Sequence, residues 1–254
     1  MKRQAKITLV GAGPGNPELI TVKGLKALQS ADVVLYDALS NPALLVEAPA
    51  TAIKIYVGKR ANNHRYTQDE INLLMVQHAF TYGHVVRLKG GDPFIFGRGH
   101  EELVYTETFG IKTAVVPGIS SCIAVPELQG IPLTRRGVNE SFWVITGTTS
   151  SGEISKDIAL AAQSSATVVI LMGTRKLAQI VDIFARAGQA NTPVMVIQNG
   201  STPNERMVHG AVSNIHQKVQ QAGLGAPAII VIGAVVDLHP ERQEELAAIV
   251  RNYQ

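Results

Sequence analysis

Apolar, β-branched runs that stop at glycine recur along this chain, and helical stretches separate them. ITLV (Ile7 to Val10) breaks into Gly11, Gly13 and Gly15, AIKIYV (Ala52 to Val57) turns at Gly58, and HVVRLK (His84 to Lys89) runs into Gly90 and Gly91. DVVLYD ends at Asp37, and Thr113 to Val116 ends at Pro117 and Gly118. FWVIT (Phe142 to Thr146), TVVILMG (Thr167 to Gly173), PVMVIQNG (Pro193 to Gly200) and PAIIVIGAVV (Pro227 to Val236) continue the series. Such runs suit buried strands, and their alternation with helices predicts an α/β protein whose sheets are largely parallel, with helices on both faces. A length of 254 residues is enough for two compact α/β units. GIPLTRRG, where Pro132 breaks the helical pattern, marks the expected boundary, giving domains 1–134 and 135–254.

Helix signals agree with this division. Val22 to Gln29 follows the first glycine turn, and Thr67 with Glu70 forms a capping box ahead of Ile71, Leu74, Met75 and Ala79 at helical spacing. Met75 is therefore expected in the core. A helix from Gly99 is expected to end near Phe109, with Gly110 as its C-terminal cap. Ser120 and Ser121 open a further helix, whose free amides and hydroxyls suit a polar ligand as well as a plain cap.

Composition excludes several function classes. A formal charge of +3 and 5% aromatic residues provide neither a strong basic field nor a base-stacking surface, so no nucleic-acid partner is expected. Cys122 is the only cysteine, which rules out an intrachain disulfide and points to a reducing cytoplasm. The 7 histidines are scattered without ligand spacing, so no metal is expected. No apolar tract approaches a membrane span or a signal-peptide core.

The densest chemistry lies in RLKGGDPFIFGRGHEE, Arg87 to Glu102. A strand ends in two glycines that permit close backbone approach, and Asp92 then sits at the carboxyl end, where open α/β sheets place ligands. Pro93 stops the strand. Phe94, Ile95 and Phe96 offer an apolar wall for a flat organic ligand, and Gly97 and Gly99 bracket Arg98 before a helix carrying Glu101 and Glu102. The opening VGAGPG turn and Asp37 also fit a nicotinamide-dependent oxidoreductase. Against that reading, the GxGxxG spacing is not met and Pro14 removes an amide.

VGAGPGNPELIT, ADVVLYD, VGKR, RLKGGDPFIFGRG, VVPGISS, GIPLT, LMG, QNG and PAIIVIG occur in an order that resembles the uroporphyrinogen-III C-methyltransferases of the tetrapyrrole methylase family. The resemblance implies the class III methyltransferase fold, with S-adenosyl-L-methionine in the interdomain cleft and S-adenosyl-L-homocysteine as product. It further implies two methylations of uroporphyrinogen III, on rings A and B, to precorrin-2 for sirohaem, cobalamin or haem d1 synthesis. A homodimer and a cytoplasmic setting go with it.

By motif, Pro14, Gly90, Gly91, Asp92, Ile95, Ser120, Ser121, Met172, Gly200, Pro227 and Ala228 match the cofactor contacts. Asp37 matches a proton acceptor and Lys59 a proton donor, while Arg98 and Glu101 match positions also discussed as catalytic. A guanidinium stays protonated, so Arg98 suits a carboxylate anchor and Asp37 is the favoured base. Arg98, Arg135 and Arg136, with Phe96 on the apolar floor, are the expected acceptor contacts, and Lys59 adds a further cation. Ser121, Arg135 and His100 depart from the family's usual alanine, histidine and glycine.

Overall fold

The computed structural model describes residues 4–58 and 66–240, and Lys59 lies outside them. Two compact units divide the chain, one ending at Ser121 and the other beginning at Cys122. The expected boundary falls later, at Thr134/Arg135. The difference has a packing cause: Val125 and Ile131 share a core with Met195, Ile197, Ile229 and Val231, and Leu133 packs with Cys122 and Val169.

In chain order the first unit contains β1 (Lys6–Gly11), α1 (Val22–Gln29), β2 (Val33–Tyr36), β3 (Ile53–Tyr56) and α2 (Gln68–Tyr82). β4 (His84–Lys89), α3 (Gly99–Glu107) and β5 (Lys112–Val116) follow, and α4 (Ser121–Leu128) begins at its end. The sheet order is β3-β2-β4-β1-β5, with every pairing parallel. The chain therefore leaves β1 toward one edge of the sheet and leaves β4 toward the other. The carboxyl ends of those adjacent strands form a topological switch point, where open α/β sheets bind ligands.

Strand alternation divides the core into two layers. Ile7, Leu9, Val33, Leu35 and Val85 face Ile71, Met75, Val76 and Ala79 of α2. Val10, Val34, Val86 and Leu88 pack on the opposite side with Leu28 of α1 and Leu44. The expected capping box is present: Thr67 Oγ1 accepts the Glu70 amide at 3.2 Å, and the Glu70 carboxylate accepts the Thr67 amide at 2.6 Å. Met75 is fully buried, and Gly110, with φ 70°, follows the last turn of α3.

The second unit contains β6 (Phe142–Thr146), α5 (Asp157–Ala161), β7 (Thr167–Leu171), α6 (Leu177–Arg186) and β8 (Pro193–Gln198). β9 (Arg206–Ala211), α7 (Ile215–Ala222) and β10 (Ala228–Ile232) complete it. Its sheet, in order β6-β7-β10-β8-β9, is mixed: only β6 and β7 run parallel, whereas β10 is antiparallel to both neighbours and β8 to β9. The short connection 199–205 returns the chain directly beside β8, without the crossover that a parallel neighbour requires. The last strand stops at Ile232, not Val236, because Gly233 at φ 149° turns the chain into a 3-10 segment, Ala234–Leu238.

At the amino end of β4, His84 joins β1 to the residue after α1. Its Nε2 lies 2.8 Å from Thr8 Oγ1 and its Nδ1 3.0 Å from Ser30 O. The carbonyl can only accept, so Nδ1 carries the proton and Nε2 accepts from the threonine hydroxyl. Burial, the largest cause, and the Lys6 charge lower its pKa, against the opposing Ser30 contact. As pH falls through about 6.5 the unfolded chain binds a proton that the folded imidazole resists, so stability falls. Urea unfolding from about pH 8 to about pH 5 should show this decline, with a shallower slope in His84→Gln.

Candidate active site

At the switch point, β1 and β4 end in backbone that side chains could not occupy. Gly13 N donates to Gly91 O at 3.2 Å and Gly91 N to Gly13 O at 2.7 Å, while Ala12 N donates to Lys89 O at 2.7 Å. Gly118, after β5, presses its Cα against Gly11, and a Cβ on either residue would penetrate the other's backbone. Gly91 has φ 66°, and its open side faces the backbone of Ser120 and Ser121. The two serines form the entry to α4, and Ser120 is buried. Pro14 follows Gly13 directly.

Asp92 ties this junction together. Its Oδ1 accepts the Phe94 amide at 2.8 Å and its Oδ2 the Gly118 amide at 3.0 Å, joining the β4 turn to the β5 turn. Beyond it, Phe94, Ile95 and Phe96 remain 44–49% exposed, so the expected apolar wall faces outward. Gly97 and Gly99 fold back against Pro93, where Pro93 O accepts from Gly99 N at 2.9 Å. Phe96 and Arg98 adopt left-handed backbone, at φ 53° and 60°.

Asp37, at the end of β2, is held from several directions. Its Oδ1 accepts from the Leu39 amide at 3.1 Å and the Ser40 hydroxyl at 3.2 Å, and its Oδ2 pairs with Arg87 Nη2 at 3.3 Å. Leu39 lies directly over Gly90, where even a methyl group would collide with it. The loop carrying Asp37 is thereby seated on the glycine end of β4.

Arg98 and Glu101, expected to act on the acceptor, pair with each other on the solvent side of α3: Arg98 Nε lies 3.0 Å from Glu101 Oε2, and both side chains are more than half exposed. The hydrogen bond to Glu101 raises the Arg98 pKa, and the same bond lowers that of Glu101. Glu102, its neighbour in sequence, is fully buried. Its Oε1 accepts from Lys89 Nζ at 2.8 Å and Gln68 Nε2 at 3.0 Å and lies 3.5 Å from Arg87 Nε. Arg87, Lys89 and Glu102 were not singled out from sequence. The available signal was alternation: in HVVRLK, Arg87 and Lys89 share the face of Val85, which meets α2 and α3.

In the second unit, Met172 ends β7 in left-handed backbone at φ 54° and is 52% exposed; its carbonyl accepts from Thr148 Oγ1 at 2.9 Å. Ile229 pairs with Leu171 and Ala228 with Gln198, so the register carries Met172, Ala228 and the Asn199–Gly200 turn along one edge. Asn199 N donates to Pro227 O at 3.0 Å. Gly200 packs its Cα against Val125 of α4, leaving no room for a side chain there. Arg135 and Arg136 are exposed on a turn away from this edge, where Asn139 Oδ1 accepts the Arg135 amide at 2.9 Å. Among the described residues, no His, Cys, Asp and Glu cluster is suited to a metal, and no helix is long and apolar enough to cross a membrane.

Residues 6–216 match the family model for tetrapyrrole (corrin/porphyrin) methylases. The chain belongs to that family. A uroporphyrinogen-III C-methyltransferase from Methanocaldococcus jannaschii is 46% identical, over 92% of this chain and 97% of its own length. A siroheme synthase from Nitrosomonas europaea is 41% identical over 92% of this chain, which spans only 50% of that longer protein. The crystal structure of uroporphyrin-III C-methyl transferase from Thermus thermophilus complexed with S-adenyl homocysteine superposes with a TM-score of 0.79 at 38% identity, covering 92% and 99% of the two chains. This methylase therefore shares its two α/β units with solved members of its family.

The glycine junction should be intolerant of a single methyl group. Gly118→Ala should cost roughly 3 kcal/mol through forced backbone displacement. Gly225→Ala, whose Cβ would meet only Gln198 Nε2 at 3.8 Å, should unfold close to wild type in urea.

Proposed function

We propose that this methylase transfers methyl groups from S-adenosyl-L-methionine to uroporphyrinogen III, twice, giving precorrin-2 and S-adenosyl-L-homocysteine. The carrying observation is the glycine junction at the β1/β4 switch point, with Asp37 anchored beside it and an exposed apolar wall leading from it. The residues present fit a compact sulfonium cofactor. Gly91 offers backbone without a Cβ on the side facing the serine pair at the start of α4, and Gly90, covered on its own side by Leu39, lets the Asp37 loop seat against the strand end. Pro14, Asp92, Ile95, Ser120 and Ser121 are the proposed contacts in the first unit. Met172, Gly200, Pro227 and Ala228 are their counterparts along the edge of the second. Asp92 supports the cradle through its two backbone amides.

The cofactor supplies an electrophilic methyl group when bound; the chain supplies orientation, exclusion of water and a base. Phe96 and its neighbours give the reduced tetrapyrrole an apolar floor, and Arg98 offers its guanidinium to a peripheral carboxylate by exchanging partners with Glu101. Arg135 and Arg136, expected as further carboxylate contacts, sit on the turn at the opposite end of β7 from Met172, so within the second unit the geometry lends them no support. Asp37, held with both oxygens engaged, takes the proton that the methylated carbon framework must lose. Lys59 is the proposed proton donor by its motif match. A homodimer in the cytoplasm completes the reading, supported by the family resemblance and by the single cysteine.

Incubation with S-adenosyl-L-methionine and uroporphyrinogen III should add two methyl groups by mass spectrometry, and an unchanged acceptor mass would overturn the assignment. Asp37→Asn should lower kcat by roughly 10²-fold or more while S-adenosyl-L-homocysteine still binds in calorimetry. Arg98→Ala should likewise lose turnover and keep cofactor binding.

A further inference from the structure

Glu102 has no role in the function proposed above, yet it is a fully buried carboxylate and one of a linked group of four charges. Arg87 and Lys89 project from the carboxyl end of β4 toward α3 and are themselves buried. Glu102 Oε1 meets both cations, at 3.5 and 2.8 Å, and Arg87 continues to Asp37 at 3.3 Å. A third contact, from Arg87 Nη1 to Leu88 O at 2.9 Å, leaves the guanidinium little freedom. Gln68 of α2 donates to the same Oε1 and also to Asn72 at 3.1 Å, while Glu102 Oε2 and Arg87 Nε are buried without a hydrogen-bond partner among the described residues. Asp69, Arg98 and Glu101 add charge from α2 and the outer side of α3.

We propose that Glu102 is a positioning residue for methyl transfer: acting through Arg87, it fixes where the Asp37 carboxylate stands and the charge that surrounds it. The catalytic consequence rests on the reading of Asp37 as base; the positioning itself does not. Two cations face two anions in this group, and the arrangement is directional. Glu102 draws the Nε edge of Arg87 toward α3, which aims Nη2 at Asp37. Without the Glu102 charge, Arg87 and Lys89 face Asp37 with one counter-charge between them. An unpaired buried cation is costly, so the guanidinium and the ammonium would compete for the remaining carboxylate. Burial and the Arg87 charge already lower the Lys89 pKa, and Glu102 opposes that shift.

The test is Glu102→Gln, which keeps shape and an acceptor oxygen but removes the charge. The acid limb of the kcat–pH profile should move to lower pH, because a more positive surrounding makes the base release its proton more readily, and kcat should fall. Glu102→Asp, which retains the charge, should lower kcat with the limb in place; a loss of stability alone would move neither variant's limb. Hydrogen exchange of the Arg87 Nη–H groups, which bond Leu88 O and Asp37, followed by NMR in the ligand-free protein, should be roughly tenfold faster in Glu102→Gln. Should that variant fail to fold, Glu102→Gln/Lys89→Met keeps the group neutral, and the Arg87 Nη–H groups should exchange faster there too. Unchanged exchange would overturn the proposal. Full turnover in Asp37→Asn would instead sink the base assignment and leave the exchange result to decide the positioning.

Discussion

Burying two cations at the end of a central parallel strand is the constraint on which the first unit depends. β4 lies between β2 and β1, where both faces are covered and a parallel strand ordinarily carries only apolar residues. Arg87 and Lys89 break that rule on one face alone. α2 and α3 must therefore bring polar groups to the sheet there, and Gln68, Asn72 and Glu102 are what they bring. The first turn of α3 cannot drift outward without exposing Lys89 to an unpaired state. The Gly97–Gly99 hinge, folded against Pro93, sets that turn at the required height.

The same constraint links the two sides of the site. Toward solvent, β4 dissolves into glycines, and the Asp92 carboxylate stitches two loops together with backbone amides alone. Toward the core, it ends in charges locked by a helix. Asp37 sits where these regions meet, its Oδ1 bound to local backbone and hydroxyl and its Oδ2 to the buried Arg87. An open glycine surface is thus backed by a buried, ion-paired frame.

Most strand positions, the Thr67 capping box, the Met75 core position and the glycine strand ends were legible, because each is a local consequence of residue type and spacing, whereas β9 was not among the expected strands. Asp37, Gly90, Gly91, Asp92, Ser120 and Ser121 do converge in the first unit, and Met172, Gly200, Pro227 and Ala228 share one edge of the second. Strand direction in the second unit was less legible, since PVMVIQNG and PAIIVIG read alike whether their neighbours run parallel or antiparallel. The paired glutamates were legible as a motif but not as individuals. Glu101 and Glu102 differ only in which side of the first helical turn they occupy, and that depends on the left-handed entry at Arg98.

The units reach similar strand ends by different routes. The first uses parallel crossovers, so its loops gather at the carboxyl edge by topology. In the second, β10 runs antiparallel to β7 and β8, so its amino end, with Pro227 and Ala228, lies beside the carboxyl ends that carry Met172 and Gly200. Left-handed residues do for the second unit what glycines do for the first: Met172, Asn199 and Ser201 turn the backbone outward. Non-glycine residues persist in that conformation only when their surroundings hold them. Thr148 on the Met172 carbonyl and Pro227 on the Asn199 amide supply the hold, which makes this edge a second built surface rather than a set of loose turns.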